Sequence, residues 1–217
     1  METASSRRPL KSRDTGWAKA ISRLLLRWGV TPNAISIASV FFAAGGAVAL
    51  YFSAQVSPGR RALLLVVAAA GIQLRLLCNL FDGMVAVEGG LKTKSGDVYN
   101  DLPDRIADPL LLIAAGYAAR PLPWAVELGW GASLLAILTA YVRMLGGAAG
   151  LRQSFIGPMA KQQRMALLTI ACLLSTIETR VLLPGRILWI TLLLVVIGCV
   201  VTLVRRTRRI VAELEAR

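Results

Sequence analysis

The sequence contains no histidine, and that absence excludes imidazole bases, Ser-His-Asp triads and His-ligated zinc. Cysteine is almost as scarce. Cys78, Cys172 and Cys199 each fall inside an apolar run, show no metal-ligand spacing, and are expected to be packing residues. Acid is in short supply too, with 12 Asp and Glu against 25 Lys and Arg, so any acid-base chemistry has to come from a handful of carboxylates. Residues 1–10 lack a continuous apolar core, which argues against a cleavable signal peptide. Neither an internal repeat nor a low-complexity segment is present.

What the chain has in quantity is apolar surface: 56% of its residues are hydrophobic, which places it in the membrane class. A span needs roughly 20 mostly apolar residues. Six such stretches occur, at 34–54, 62–87, 98–119, 122–145, 163–182 and 185–204. The expected fold is therefore all-α, a polytopic bundle of six transmembrane helices with no room for a separate soluble domain. Three segments follow: a basic arm over 1–30, a six-helix domain over 31–205, and a basic tail over 206–217. Within the arm, Trp17, Ile21, Leu24, Leu25 and Trp28 recur at helical spacing, with Lys19, Arg23 and Arg27 on another face. That pattern predicts an amphipathic helix lying on the membrane surface, its tryptophans at the interface. Thr31-Pro32-Asn33 reads as the start of the first span, because proline costs little at a helix start.

A net charge of +13 could point to nucleic acid, but its distribution says otherwise. With both termini in the cytoplasm, eighteen basic residues fall on inside segments and five on outside loops, Arg60, Arg61, Arg120, Arg180 and Arg186. This is the bias of the positive-inside rule, and no nucleic-acid partner is expected.

Intramembrane acids are costly, and here they cluster at the inner end of one hairpin: Asp82, Asp97, Asp101, Asp104 and Asp108. On a helix, Asp97, Asp101, Asp104 and Asp108 fall within about a 60° arc, with Asn100 at its edge. On the preceding helix Asn79, Asp82 and Ala86 share a face. Converging carboxylates repel unless cations neutralise them, and oxygen-only ligands point to magnesium, manganese or calcium. Asp97 can equally be read as a helix-start acid. Gly83 and Ala86 leave a surface that a phosphate or nucleotide can approach closely, and Gly96 opens the next helix.

From Asn79 to Asp108 the chain reads NLFDGMVAVEGGLKTKSGDVYNDLPDRIAD. This resembles the signature of the class I CDP-alcohol phosphatidyltransferases, D-x2-D-G-x2-A-R-x8-G-x3-D-x3-D. Asp82-Gly83, Ala86, Gly96 and Asp104 match without a gap, and Thr31-Pro32-Asn33 resembles the family's TPN element. Asn79 and Asn100 stand where the motif has its first and third acids, and Val87 replaces its arginine. Asp104-Arg105-Ile106 resembles the continuation found in members that use an inositol phosphate.

The resemblance implies a multi-pass protein of a bacterial-type inner (cytoplasmic) membrane, with its active site on the cytoplasmic side and a homodimer as the common assembly. It implies transfer of a phosphatidyl group from CDP-diacylglycerol to a small hydroxyl acceptor, with release of CMP. Mg²⁺ or Mn²⁺ would be held by Asn79, Asp82, Asn100, Asp101 and Asp104. Asp104 would act as the general base, and Asn33, Gly83, Ala86 and Gly96 would line the nucleotide. Asparagine still offers a carbonyl oxygen, though two formal charges are lost and metal affinity falls with them.

Arg143, Arg152, Lys161 and Arg164, on the cytoplasmic segment between spans four and five, fit either of two readings. They bind a phosphate on the acceptor, or they follow the positive-inside rule alone. Two other functions also stay open. One is a non-catalytic relative that binds CDP-lipid, motivated by Asn79, Asn100 and Val87. The other is a small ion-coupled carrier, which lacks the inverted repeat expected of that class.

Overall fold

In the first apolar stretch, the Thr31 hydroxyl oxygen accepts the Ala34 N–H at 3.3 Å, and Pro32 occupies the first turn, so a helix starts where the sequence signals one. A computed structural model describes residues 15–91, 93–178 and 183–217, with only the backbone of Asp97. The signal-peptide expectation over 1–10 therefore lies outside the described residues. Among those described there are seven helices and no strand: α1 Gly16–Arg27, α2 Pro32–Ser53, α3 Pro58–Glu88, α4 Gly96–Ala118, α5 Ala125–Ala148, α6 Lys161–Glu178 and α7 Arg186–Glu215.

Four of these, α2, α3, α5 and α7, are long and apolar enough to cross a membrane. The chain is a membrane protein. The charged face of α4, and Lys161, Arg164 and Glu178 within the 18 residues of α6, leave those two helices outside this set.

Helix α1 turns Ala18 and Ser22 inward and leaves Trp17, Ile21, Leu24 and Trp28 exposed. Trp17 meets Phe81 of α3 edge to face at 6.1 Å, so the amphipathic arm is docked on the bundle while its apolar side faces outward. Helix α7 runs unbroken past 204, and the stretch expected as a tail is helical through Glu215.

The helices alternate in direction. At one end of the bundle, buried Arg61 of α3 donates to the carbonyls of Ser53 at the end of α2 and Ala118 at the end of α4, at 3.3 and 3.4 Å. It also pairs with Glu178 at the end of α6. Glu178 in turn accepts the Gly185 and Ile187 N–H groups at 2.8 and 2.6 Å, holding the start of α7. Arg61, expected in an outside loop, is thus a buried knot of helix ends. Close approaches reinforce the stacking. A Cβ at Gly71 would lie 2.8 Å from the Phe42 carbonyl oxygen, and one at Gly116 would lie 2.7 Å from that of Ala125. Only glycine lets α3 rest on α2, and α4 on α5, at such spacing.

Candidate active site

At the opposite end of the bundle the acidic face of α4 meets α3, α5, α6 and α7. Asp82 of α3 is 4% exposed. Its Oδ2 accepts from Ser36 of α2 at 2.8 Å and its Oδ1 from the Gly83 N–H at 2.5 Å. Asp104 is the most heavily engaged carboxylate. Arg75 donates to its Oδ1 at 3.0 Å, Asn79 Nδ2 to the same oxygen at 3.1 Å, and Lys161 forms an ion pair with Oδ2. Arg75 reaches Asp108 as well, and Asp108 receives Arg164 at 2.9 Å. The result is a buried chain of alternating charge, Lys161, Asp104, Arg75, Asp108 and Arg164, in which each ion compensates its neighbours' desolvation.

Above this chain lies a cavity of about 120 Å³, the room of about four water molecules. Asp104, Arg105, Arg143, Lys161, Arg164 and Arg206 line it, together with Phe155. Arg143 is oriented by Asp101, which it contacts at 3.0 and 3.4 Å, and its guanidinium carbon stands 5.2 Å from the Phe155 ring centroid. Phe155 belongs to a segment that folds back over the site. The Met159 N–H donates to Thr202 of α7 at 3.0 Å, and Arg206 donates to the Ile156 carbonyl at 3.0 Å. Gly157, with φ +118°, sits where any Cβ would fall within 2.8 Å of Thr202 side-chain atoms.

Several expected site residues converge, and others stand apart. Asn79, Asp82 and Asp104 come together, and Arg143 and Lys161 reach the cavity. Asp101, expected beside a metal, instead has its carboxylate engaged by Arg143 and, at 3.1 Å, by Arg105. Arg152 and Asn100 are exposed, and Arg152 does not line the cavity. Asn33 is half-buried in the first turn of α2, Gly83 is half-buried, Ala86 is 7% exposed, and Gly96 begins α4.

Sequence reasoning missed Arg75 and Arg206. An arginine inside an apolar span, one turn before Asn79 on the same face, was a usable signal for the first. The apolar spacing of Val204, Ile210, Val211 and Leu214 beyond 204 was one for the second, since it extends the helix that carries Arg206.

Among the described residues no three acidic, histidine or cysteine side chains converge as a ready metal cage. Yet the carbonyl oxygen of Asn79 is buried without a hydrogen-bond partner, next to Asp104 and on the same helix face as Asp82. An orphaned hard oxygen beside two carboxylates fits one divalent cation of the Mg²⁺ or Mn²⁺ kind.

No family model matches the chain. It is 29% identical over 142 residues to a phosphatidylinositol phosphate synthase of Mycobacterium marinum, a match covering 61% of this chain and 54% of that protein. The chain thus spans about half the length of this curated relative. Its fold matches crystal structures of the phosphatidylinositol phosphate synthase of Mycobacterium tuberculosis. The complex with manganese and citrate gives a TM-score of 0.70 at 23% identity, covering 89% of this chain and 88% of that one. The form with CDP-DAG bound gives 0.70 at 23%, covering 89% and 92%. The chain thus shares the fold of these synthases, and its Asn79–Asp108 segment resembles the CDP-alcohol phosphatidyltransferase signature, with Asn79 and Asn100 at two of the four motif acids.

Proposed function

We propose that this protein transfers a phosphatidyl group from CDP-diacylglycerol to the hydroxyl of a small phosphorylated acceptor, releasing CMP. The observation that carries the reading is the cavity itself, in which Asp104 faces Arg105, Arg143, Lys161, Arg164 and Arg206 across a space suited to a small anion. Cation crowding of that kind is stabilised by a dianionic group, and forked guanidinium donors match phosphate oxygens. An inositol phosphate and glycerol phosphate are the acceptors of this chemistry. The CDP-DAG bound to the mycobacterial synthase supports the choice of donor, and that enzyme's manganese supports a divalent cofactor.

Asp82, the Asn79 carbonyl oxygen and Asp104 would hold Mg²⁺ or Mn²⁺, which supplies polarisation of the diphosphate. The chain's own residues do the rest. Asp104 takes the proton from the acceptor hydroxyl as that oxygen attacks the lipid-side phosphorus. Asn79 and Arg75 hold the Asp104 carboxylate in place, and the Gly83 and Ala86 face admits the nucleotide. In this reading α2 to α7 all span the membrane, with both termini and the site cytoplasmic. The inner membrane of a bacterial-type cell is the setting, and a homodimer is the assembly the family resemblance implies.

A binding protein without catalysis is the second reading, favoured by the two asparagines and by the cations seated on Asp104. One assay separates them: CMP release from CDP-diacylglycerol by purified protein with Mg²⁺ or Mn²⁺, against glycerol-3-phosphate, inositol, inositol phosphate and serine. Transfer predicts release with a phosphorylated acceptor, abolished in Asp104→Asn. Silence with every acceptor and both metals, with CDP-lipid still bound, supports the second reading.

A further inference from the structure

We infer that Lys161 is a latch on Asp104, opened by the anionic group of the acceptor, so that the base is unmasked only when an acceptor is in place. The inference rests on the transfer reading above and adds to it the order of events.

The two oxygens of Asp104 are held differently. Oδ1 is gripped from inside the bundle by Arg75, whose side chain is 0% exposed, and by Asn79. Oδ2 is covered from the cavity side by the Lys161 ammonium alone. Among the described residues Asp104 is the one ion-pair partner Lys161 has, and the lysine side chain keeps 27% of its surface exposed. Arg75 is fixed by a second acid, Asp108, whereas Lys161 is a compact charge on a flexible four-carbon stem at the first turn of α6. Of the ions on Asp104, Lys161 is the one free to leave, and it already lines the space an anion would enter.

With the latch closed, Oδ2 has an ammonium where a substrate proton would go. An anion in the cavity offers Lys161 a better partner, shared with Arg105 and Arg143, and the ammonium turns to it. Oδ2 then accepts the acceptor's hydroxyl proton while the acceptor oxygen bonds to the lipid-side phosphorus. The phosphorus–oxygen bond to CMP breaks, and its electron pair leaves with CMP. Water carries no anionic group and does not open the latch, so CDP-lipid is protected from hydrolysis to phosphatidate.

The test is CMP release from CDP-diacylglycerol with Mg²⁺ and no acceptor, using the full chain in detergent. Lys161→Met is expected to raise this acceptor-free release about tenfold while lowering transfer to the acceptor. Lys161→Arg, which restores a cation on Asp104, should return it towards the wild-type level. Arg209→Met is the control: Arg209 pairs with Glu213 on the surface of α7 and does not line the cavity, so removing its charge should leave acceptor-free release low. Sulfate added to the wild-type protein should stimulate acceptor-free release, since it opens the latch without supplying a hydroxyl, and this arm needs no variant to fold. Acceptor-dependent transfer in the wild type, with acceptor-free release unmoved by sulfate and by Lys161→Met, overturns the latch and leaves the transfer reading standing. No release from the wild type with any acceptor overturns the transfer reading itself.

Discussion

Replacing Arg75 by methionine removes the central cation of the buried charge chain while keeping a side chain of similar reach. Arg75 is fully buried, and it contacts Asp104 at 3.0 Å and also Asp108, carboxylates whose side chains are 9% and 5% exposed. At an effective dielectric of about 20, a unit pair at that separation is worth about 5 kcal/mol, and much of this only offsets the desolvation of the partners. Breaking a buried pair by deleting one ion costs about 3–5 kcal/mol. Asp104 keeps Lys161 and Asp108 keeps Arg164 at 2.9 Å, so the lower end, about 3 kcal/mol, is expected. For a chain of this size that corresponds to a fall of roughly 10 °C in the unfolding midpoint, read by thermal unfolding in detergent. The diagnostic arm is the double variant Arg75→Met/Asp108→Asn. Removing the stranded acid should recover part of the loss, giving a coupling energy of about 1–3 kcal/mol between the two positions. Additivity within about 0.5 kcal/mol, or an unshifted midpoint in Arg75→Met, would refute the idea that these ions stabilise one another.

Arg206→Met should raise KM for a phosphorylated acceptor by about tenfold with a smaller change in kcat, because Arg206 lines the cavity and lies outside the ion pairs around Asp104. Glu178→Gln should cost about 2–3 kcal/mol of stability while leaving kcat of the folded protein unchanged, measured by unfolding and by CMP release. The substitution strands Arg61 at the end of the bundle remote from the cavity. Gly116→Ala should destabilise by about 1–3 kcal/mol, since its Cβ would press on the Ala125 carbonyl at 2.7 Å, whereas Gly131→Ala, with nothing within 4 Å, should be tolerated; unfolding midpoints of the pair check this.

The helices were legible because their apolar runs are long and their starts carry proline at Pro32 and Pro58. The α4 acid face was legible too, since Asp104 and Asp108 follow from helical periodicity alone. What periodicity cannot supply is the partner across a helix interface. Asp101 lies on the same arc as Asp104, yet Asp104 meets Arg75 of α3 and Asp101 meets Arg143 of α5, 42 residues away. Arg206 was hidden for a related reason. The span appeared to end at 204 by hydropathy, but the helix continues, and a returning segment from 151 to 160 supplies carbonyls that no local pattern announces. Arg152 shows the converse: its place among cytoplasmic cations suggested acceptor binding, and it is exposed and does not line the cavity.

The knot of Arg61 and Glu178 gathers the ends of α2, α3, α4, α6 and α7, and Trp189 of α7 ties in the approach to α5 through the Pro123 carbonyl at 2.8 Å. Arg61 and Asp82 stand 21 residues apart on α3, about 30 Å along its axis. A bundle knotted at one end and joined at the other through ion pairs between side chains behaves as a set of tongs. A tilt of about one degree at the knot displaces the far tips by roughly half an ångström, the scale on which an ion pair at the site is made or broken.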